Sequence, residues 1–193
     1  MQLSADIITV VILLTLIGSF VVDTAADTLN LKNLRNKVPQ EFKNFYDDQR
    51  YLKSQNYLKA NTHFGLVTSG FDLILILVFW FSGGFGYLDT LVRSFNLGPV
   101  ITGLLFFGIL MSLKFIVSIP FSIYSTFIIE ERFGFNKTTP AVFVIDLVKT
   151  ILLSIVFGGA LLSIIFWFLE KAGSWAWLLC WGASILFLLL VQY

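Results

Sequence analysis

The residues of this chain whose positions ask for an explanation are ionisable groups inside apolar stretches: Asp72, Lys114, Asp146 and Lys149. A lysine at the centre of a membrane helix costs about 2.5–3.5 kcal/mol on insertion scales, so Lys114 must be compensated. Asp146 or Asp72 is the expected partner. Asp146 and Lys149 are three residues apart, which places them on one helical face. Such groups either pair between helices, line a water-filled interior or, for the 146/149 pair, sit near the headgroups. Catalytic chemistry is harder to assemble. A helix-borne metallohydrolase site needs two histidines at i and i+4 with a glutamate to activate water. The only histidine is His63 and the only cysteine is Cys180, so the expectation is that this chain holds no metal and no catalytic residue. Phosphate loops, nucleophile elbows and Cys/His pairs are also absent from the sequence.

The elements that carry these residues are long apolar runs. Of 193 residues, 57% are hydrophobic and 13% charged, against about 45–50% and about 25% in soluble domains. The charges are segregated between the runs, and a net charge of +1 gives no reason to expect a nucleic-acid partner. This is the pattern of an all-α integral membrane protein, expected as a single membrane domain over 1–193. About five transmembrane helices are predicted at about 5–22, 64–85, 100–123, 142–169 and 175–193. The first run lacks a basic start and a good cleavage site, so it reads as a retained helix rather than a signal peptide. The fifth is still apolar at Tyr193 and only just long enough to cross. The expectation is therefore of a chain cut there.

The stretch 23–62 carries Lys32, Arg35, Lys37, Lys43, Arg50, Lys53 and Lys59, and the connection after the third run carries Arg132 and Lys137. The other two connections hold Arg93 and Lys171. The positive-inside rule then makes 23–62 and 124–141 cytoplasmic and puts the N-terminus outside. The first loop is expected to be partly helical, because Pro39 suits a helix start and Phe42, Phe45, Tyr46 and Leu52 recur at near-helical spacing.

The segment from Tyr124 to Thr139 is the densest in information. Gly134 can adopt backbone angles closed to other residues, and Asn136 can hydrogen-bond its own backbone. Phe133 and Phe135 can anchor a compact turn. The sequon Asn136-Lys137-Thr138 is a chance match if this segment is cytoplasmic.

Glu130-Glu131-Arg132-Phe133-Gly134-Phe135-Asn136-Lys137-Thr138-Thr139, followed by Phe143, Asp146 and Lys149, resembles the N-terminal membrane region of the M48 zinc metalloproteases of the CAAX prenyl protease type. Val38-Pro39 and Tyr51-Leu52-Lys53-Ser54-Gln55-Asn56-Tyr57, with Phe64-Gly65 beyond, match the same family in order. The resemblance implies a membrane-embedded part of a zinc endopeptidase, enclosing part of a water-filled intramembrane chamber. It implies that zinc and the H-E-x-x-H module belong to a longer protein. It also implies prenylated or membrane-associated protein substrates and a lipid bilayer as partner. Glu130, Glu131, Arg132, Gly134, Phe135, Asn136, Lys137 and Thr138 would form a structural motif docking the missing catalytic module. Asp72, Lys114, Asp146 and Lys149 would face the wet interior. The alternatives are a stand-alone, non-catalytic scaffold or binding protein of this fold and, from the buried charges alone, a small transporter.

Overall fold

A computed structural model describes residues 2–34, 38 and 47–192. The proposed helix start at Pro39 and the aromatics Phe42, Phe45 and Tyr46 lie outside the described residues. All regular structure among the described residues is helical, in the order α1 (Gln2–Lys32), α2 (Asp48–Phe81), α3 (Gly84–Arg93), α4 (Pro99–Tyr124), α5 (Pro140–Leu153), α6 (Gly159–Lys171) and α7 (Ala176–Gln192). Two π-helical stretches, Ser125–Glu130 and Ser154–Gly158, extend α4 and join α5 to α6. Five continuous helices among the described residues are long and apolar enough to cross a membrane: Asp6–Lys32, Asp48–Phe81, Pro99–Glu130, Pro140–Lys171 and Gly173–Gln192.

The helix ends differ from those read from hydropathy. At the two sides of the first loop, α1 runs on to Lys32 and α2 begins at Asp48, so both helices extend into the charged stretch 23–62. Apolarity marks the bilayer slab, whereas helical hydrogen bonding persists beyond it wherever good helix formers follow. At 1.5 Å per residue the 34 residues of α2 reach about 51 Å, well past the roughly 30 Å hydrocarbon core. Pro120 lies inside α4 without ending it.

Local chemistry sets the boundaries. The Asp47 carboxylate accepts from the Gln49 N–H at 3.2 Å at the start of α2. The Thr139 hydroxyl accepts from the Val142 N–H at 3.3 Å at the start of α5, with Pro140 in the first turn. Both satisfy amide groups that a helix N-terminus leaves unbonded. Gly83, with φ +78°, follows α2 where the chain turns into α3.

The chain divides into two compact units, Met1–Gly83 with Ile119–Asn136 and Gly84–Ser118 with Lys137–Tyr193. In the first, α1 packs on α2 and α2 packs on the π-helical end of α4. Gly70 brings α2 close to α1: a side chain there would meet the Phe20 ring at 3.9 Å. In the second, α6 packs on α7, and the Cys180 thiol lies 3.6 Å from the Ile165 carbonyl. Most large apolar side chains remain exposed, from Ile7 to Val191. That is ordinary for a protein whose solvent is lipid.

Candidate functional site

The turn beyond α4 is built on backbone hydrogen bonds. The Phe135 N–H donates to the Glu130 carbonyl and the Gly134 N–H to the Glu131 carbonyl, both at 2.9 Å. Gly134 has φ +65°. This is the paired-bond helix ending that requires a left-handed residue just past the last turn, which glycine adopts without a Cβ penalty. The Glu130 carbonyl also accepts from the Asn136 N–H at 3.3 Å. The Asn136 side-chain amide donates to the Glu131 carboxylate at 2.9 Å. The turn is thereby tied to the helix it ends.

The two phenylalanines flanking Gly134 hold the turn against α2. The Tyr57 ring makes edge contacts with Phe133, centroids 5.6 Å apart, and with Phe135, 4.8 Å apart. One helical turn earlier, the Lys53 ammonium lies 5.5 Å from the Phe135 ring centroid. A Cβ at Gly134 would come within 3.3 Å of that same ammonium. Arg132 stands 5.8 Å from the neighbouring Phe133 ring. The seam continues along α2 at seven-residue steps. Phe64 stacks on Tyr124 at 5.0 Å and Phe71 packs on Phe121 at 4.9 Å. Within the π-helical stretch Ile129 is buried, 6% exposed.

The structure thus unites two motifs far apart in the chain, Tyr51–Tyr57 and Glu130–Asn136. Lys53 and Tyr57 are anchors of the turn that had no place among the candidate site residues. Their i, i+4 spacing and their place in the family-matching stretch Tyr51–Tyr57 were the signals that could have marked them. The π-helical stretch had no recognised sequence signal. Glu131, Arg132, Gly134 and Phe135 are exposed and Glu130 and Asn136 half-buried. Lys137 and Thr138 begin the second unit's part of the chain, leading to the Thr139 cap.

The ionisable groups of the apolar helices are placed differently. Asp146 and Lys149 form an exposed pair within α5, Oδ1 to Nζ 3.5 Å. Asp72 is half-buried on α2 and Lys114 exposed on α4, and neither is without a partner. His63 is exposed, its Nδ1 2.7 Å from the Lys59 carbonyl. Among the described residues no three His, Cys, Asp or Glu side chains converge into a set that could hold a metal ion.

Five helices able to span and a helix-ending turn clamped by an aromatic seam define a multi-pass helical membrane protein with a built surface turn. Residues 27–193 match the family described as "CAAX prenyl protease N-terminal, five membrane helices", and the chain belongs to that family. It is 34% identical over 177 residues to a Schizosaccharomyces pombe protein named "Probable CAAX prenyl protease 1", covering 82% of this chain and 36% of that protein. It is 32% identical over 146 residues to the Saccharomyces cerevisiae protein named "CAAX prenyl protease 1", covering 70% of this chain and 32% of the other. The crystal structure of S. mikatae Ste24p superposes with a TM-score of 0.77 at 27% identity, over 92% of this chain and 42% of that one. The chain spans about a third of the length of the curated relatives it matches.

Proposed function

We propose that this chain is the membrane-embedded N-terminal part of a CAAX prenyl protease-like zinc endopeptidase. In this reading it supplies part of the wall of a water-filled chamber, and the Glu130–Thr139 segment docks the catalytic module. The observation that carries the proposal is the turn itself. Two carboxylates stand at the C-terminal end of a helix, where the macrodipole disfavours negative charge by about 0.3–1 kcal/mol each. The turn is nevertheless held rigid by the Asn136–Glu131 bond and the Tyr57 clamp. A surface that spends stability to fix exposed charge suits a partner that reads it. Asp72, Lys114, Asp146 and Lys149 would face the wet interior, where water lowers the cost of their charge. Zinc and the prenylated or membrane-bound substrate would be held by the catalytic module and the chamber of the longer protein.

The test uses that longer protein with Glu131→Ala, Asn136→Ala and both together. Each single change should lower cleavage of a farnesylated peptide about tenfold, the loss of one hydrogen bond to a charged group. Zinc content and helicity should stay unchanged. The double variant should be little worse than either single one, because the two side chains act as a pair. Unaltered cleavage in all three variants would leave the turn a passive connection.

The orientation is proposed from the Lys/Arg asymmetry: N-terminus outside, with 23–62 and 124–141 cytoplasmic. Cysteines placed at Arg50 and Asp89 should then be labelled by impermeant reagents from opposite sides, position 89 from outside. Labelling of position 50 from outside would reverse the assignment.

A further inference from the structure

Between Phe81, where α2 ends, and Pro99, where α4 begins, the chain passes from one span to the next. The intervening α3, ten residues and about 15 Å long, therefore belongs at a membrane boundary. Its faces fit that place. Leu88 and Val92 point inward, 5% and 0% exposed, while Tyr87 and Leu91 are exposed at 74% and 41%. The third face carries Asp89 and Arg93, joined by Arg93 Nε donating to Asp89 Oδ2 at 2.8 Å. An exposed aromatic and aliphatic stripe beside a charged face is the signature of a helix lying in the interface.

Beside α3 the same unit forms a cleft of about 590 Å³, within the range of small-molecule sites. Its lining includes Asp89, Arg93 and Asn96, from α3 and the connection after it, and the aromatic rings of Phe106, Phe107 and Phe166. Because α4 runs from Pro99 into the bilayer, Phe106 lies about 10 Å deeper than the rim at 1.5 Å per residue. Phe166 seats there because Gly103 has no side chain; a Cβ would stand 2.8 Å from its ring. Polarity therefore falls along the membrane normal, as it does along a lipid molecule.

We propose that this cleft binds a zwitterionic phospholipid, its phosphate on Arg93, its ammonium on Asp89 and its upper acyl chain on the three phenylalanines. The Arg93–Asp89 ion pair engages only the Nε of a fork with five donors, and only one carboxylate oxygen. The terminal guanidinium nitrogens and the second oxygen can still take opposite charges. A purely anionic head would satisfy Arg93 and be repelled by Asp89; an uncharged lipid would engage neither. This inference does not depend on the protease reading.

The experiment is native mass spectrometry of the chain from detergent micelles titrated with phosphatidylcholine, phosphatidylglycerol and diacylglycerol of the same acyl chains. One phosphatidylcholine should be retained per chain, ahead of the other two. Arg93→Gln should weaken it about tenfold, the loss of one charged hydrogen bond. Asp89→Asn should raise phosphatidylglycerol to or above phosphatidylcholine, a change of selectivity that a mere packing role would not produce. Both side chains are exposed, so circular dichroism should show intact helices. The proposal is overturned if diacylglycerol binds as tightly as phosphatidylcholine, if inorganic phosphate displaces the lipid, or if neither substitution changes the order of preference.

Discussion

Tyr57→Ala is expected to destabilise the first unit by about 2–4 kcal/mol, the range for losing a large side chain together with two aromatic contacts. Tyr57 is half-buried, so the effect belongs below that of a fully buried ring. It nonetheless packs on both Phe133 and Phe135, and each such pair adds about 0.5–1.5 kcal/mol beyond burial. With the ring gone, the turn keeps its backbone bonds but has lost its seat on α2. Amide hydrogen exchange at Phe133–Asn136 should accelerate, and thermal unfolding in detergent should shift downward. Tyr57→Phe keeps both ring contacts and should be close to neutral. Unchanged exchange at the turn in the alanine variant would show that the aromatic clamp holds nothing.

Val92→Asp should have an even larger effect. Val92 is completely buried, in a unit where most apolar side chains are exposed. A carboxylate there would be charged and cut off from water, costing about 3 kcal/mol or more. Val92→Ala removes only packing and should cost about 1–3 kcal/mol. The introduced carboxyl would have its pKa raised by burial. The folded state would then bind its proton at higher pH than the unfolded state, so the penalty should shrink as pH falls. Thermal unfolding of both variants at neutral and mildly acidic pH measures this. Equal midpoints for the two variants at neutral pH would refute the burial of Val92.

The number of spanning helices, their apolar centres and the family motifs could be read from residue order. Each depends on local composition: twenty-odd apolar residues suffice to cross a bilayer wherever the other helices lie, and a Gly-Phe-Asn run can be recognised before it is folded. Likewise, a glycine between phenylalanines implied a turn near 134, and the backbone bonds at Glu130 and Glu131 supply it. The helix ends were less legible, because hydropathy reports where the chain is apolar and not where its hydrogen bonding stops. Helical structure runs on to Lys32 and starts already at Asp48, in charged sequence that helices tolerate in water. Which side chains meet across the fold was not legible at all. Lys53 and Tyr57 reach Phe135 and Phe133 only because α2 lies along the end of α4 in one particular register. The cleft under α3 exists only because Gly103 lets Phe166 approach. Residue order constrains what each helix face offers; its partner is selected by packing, where ring size, a missing Cβ and an extra residue in a π-helical turn decide which faces come into contact.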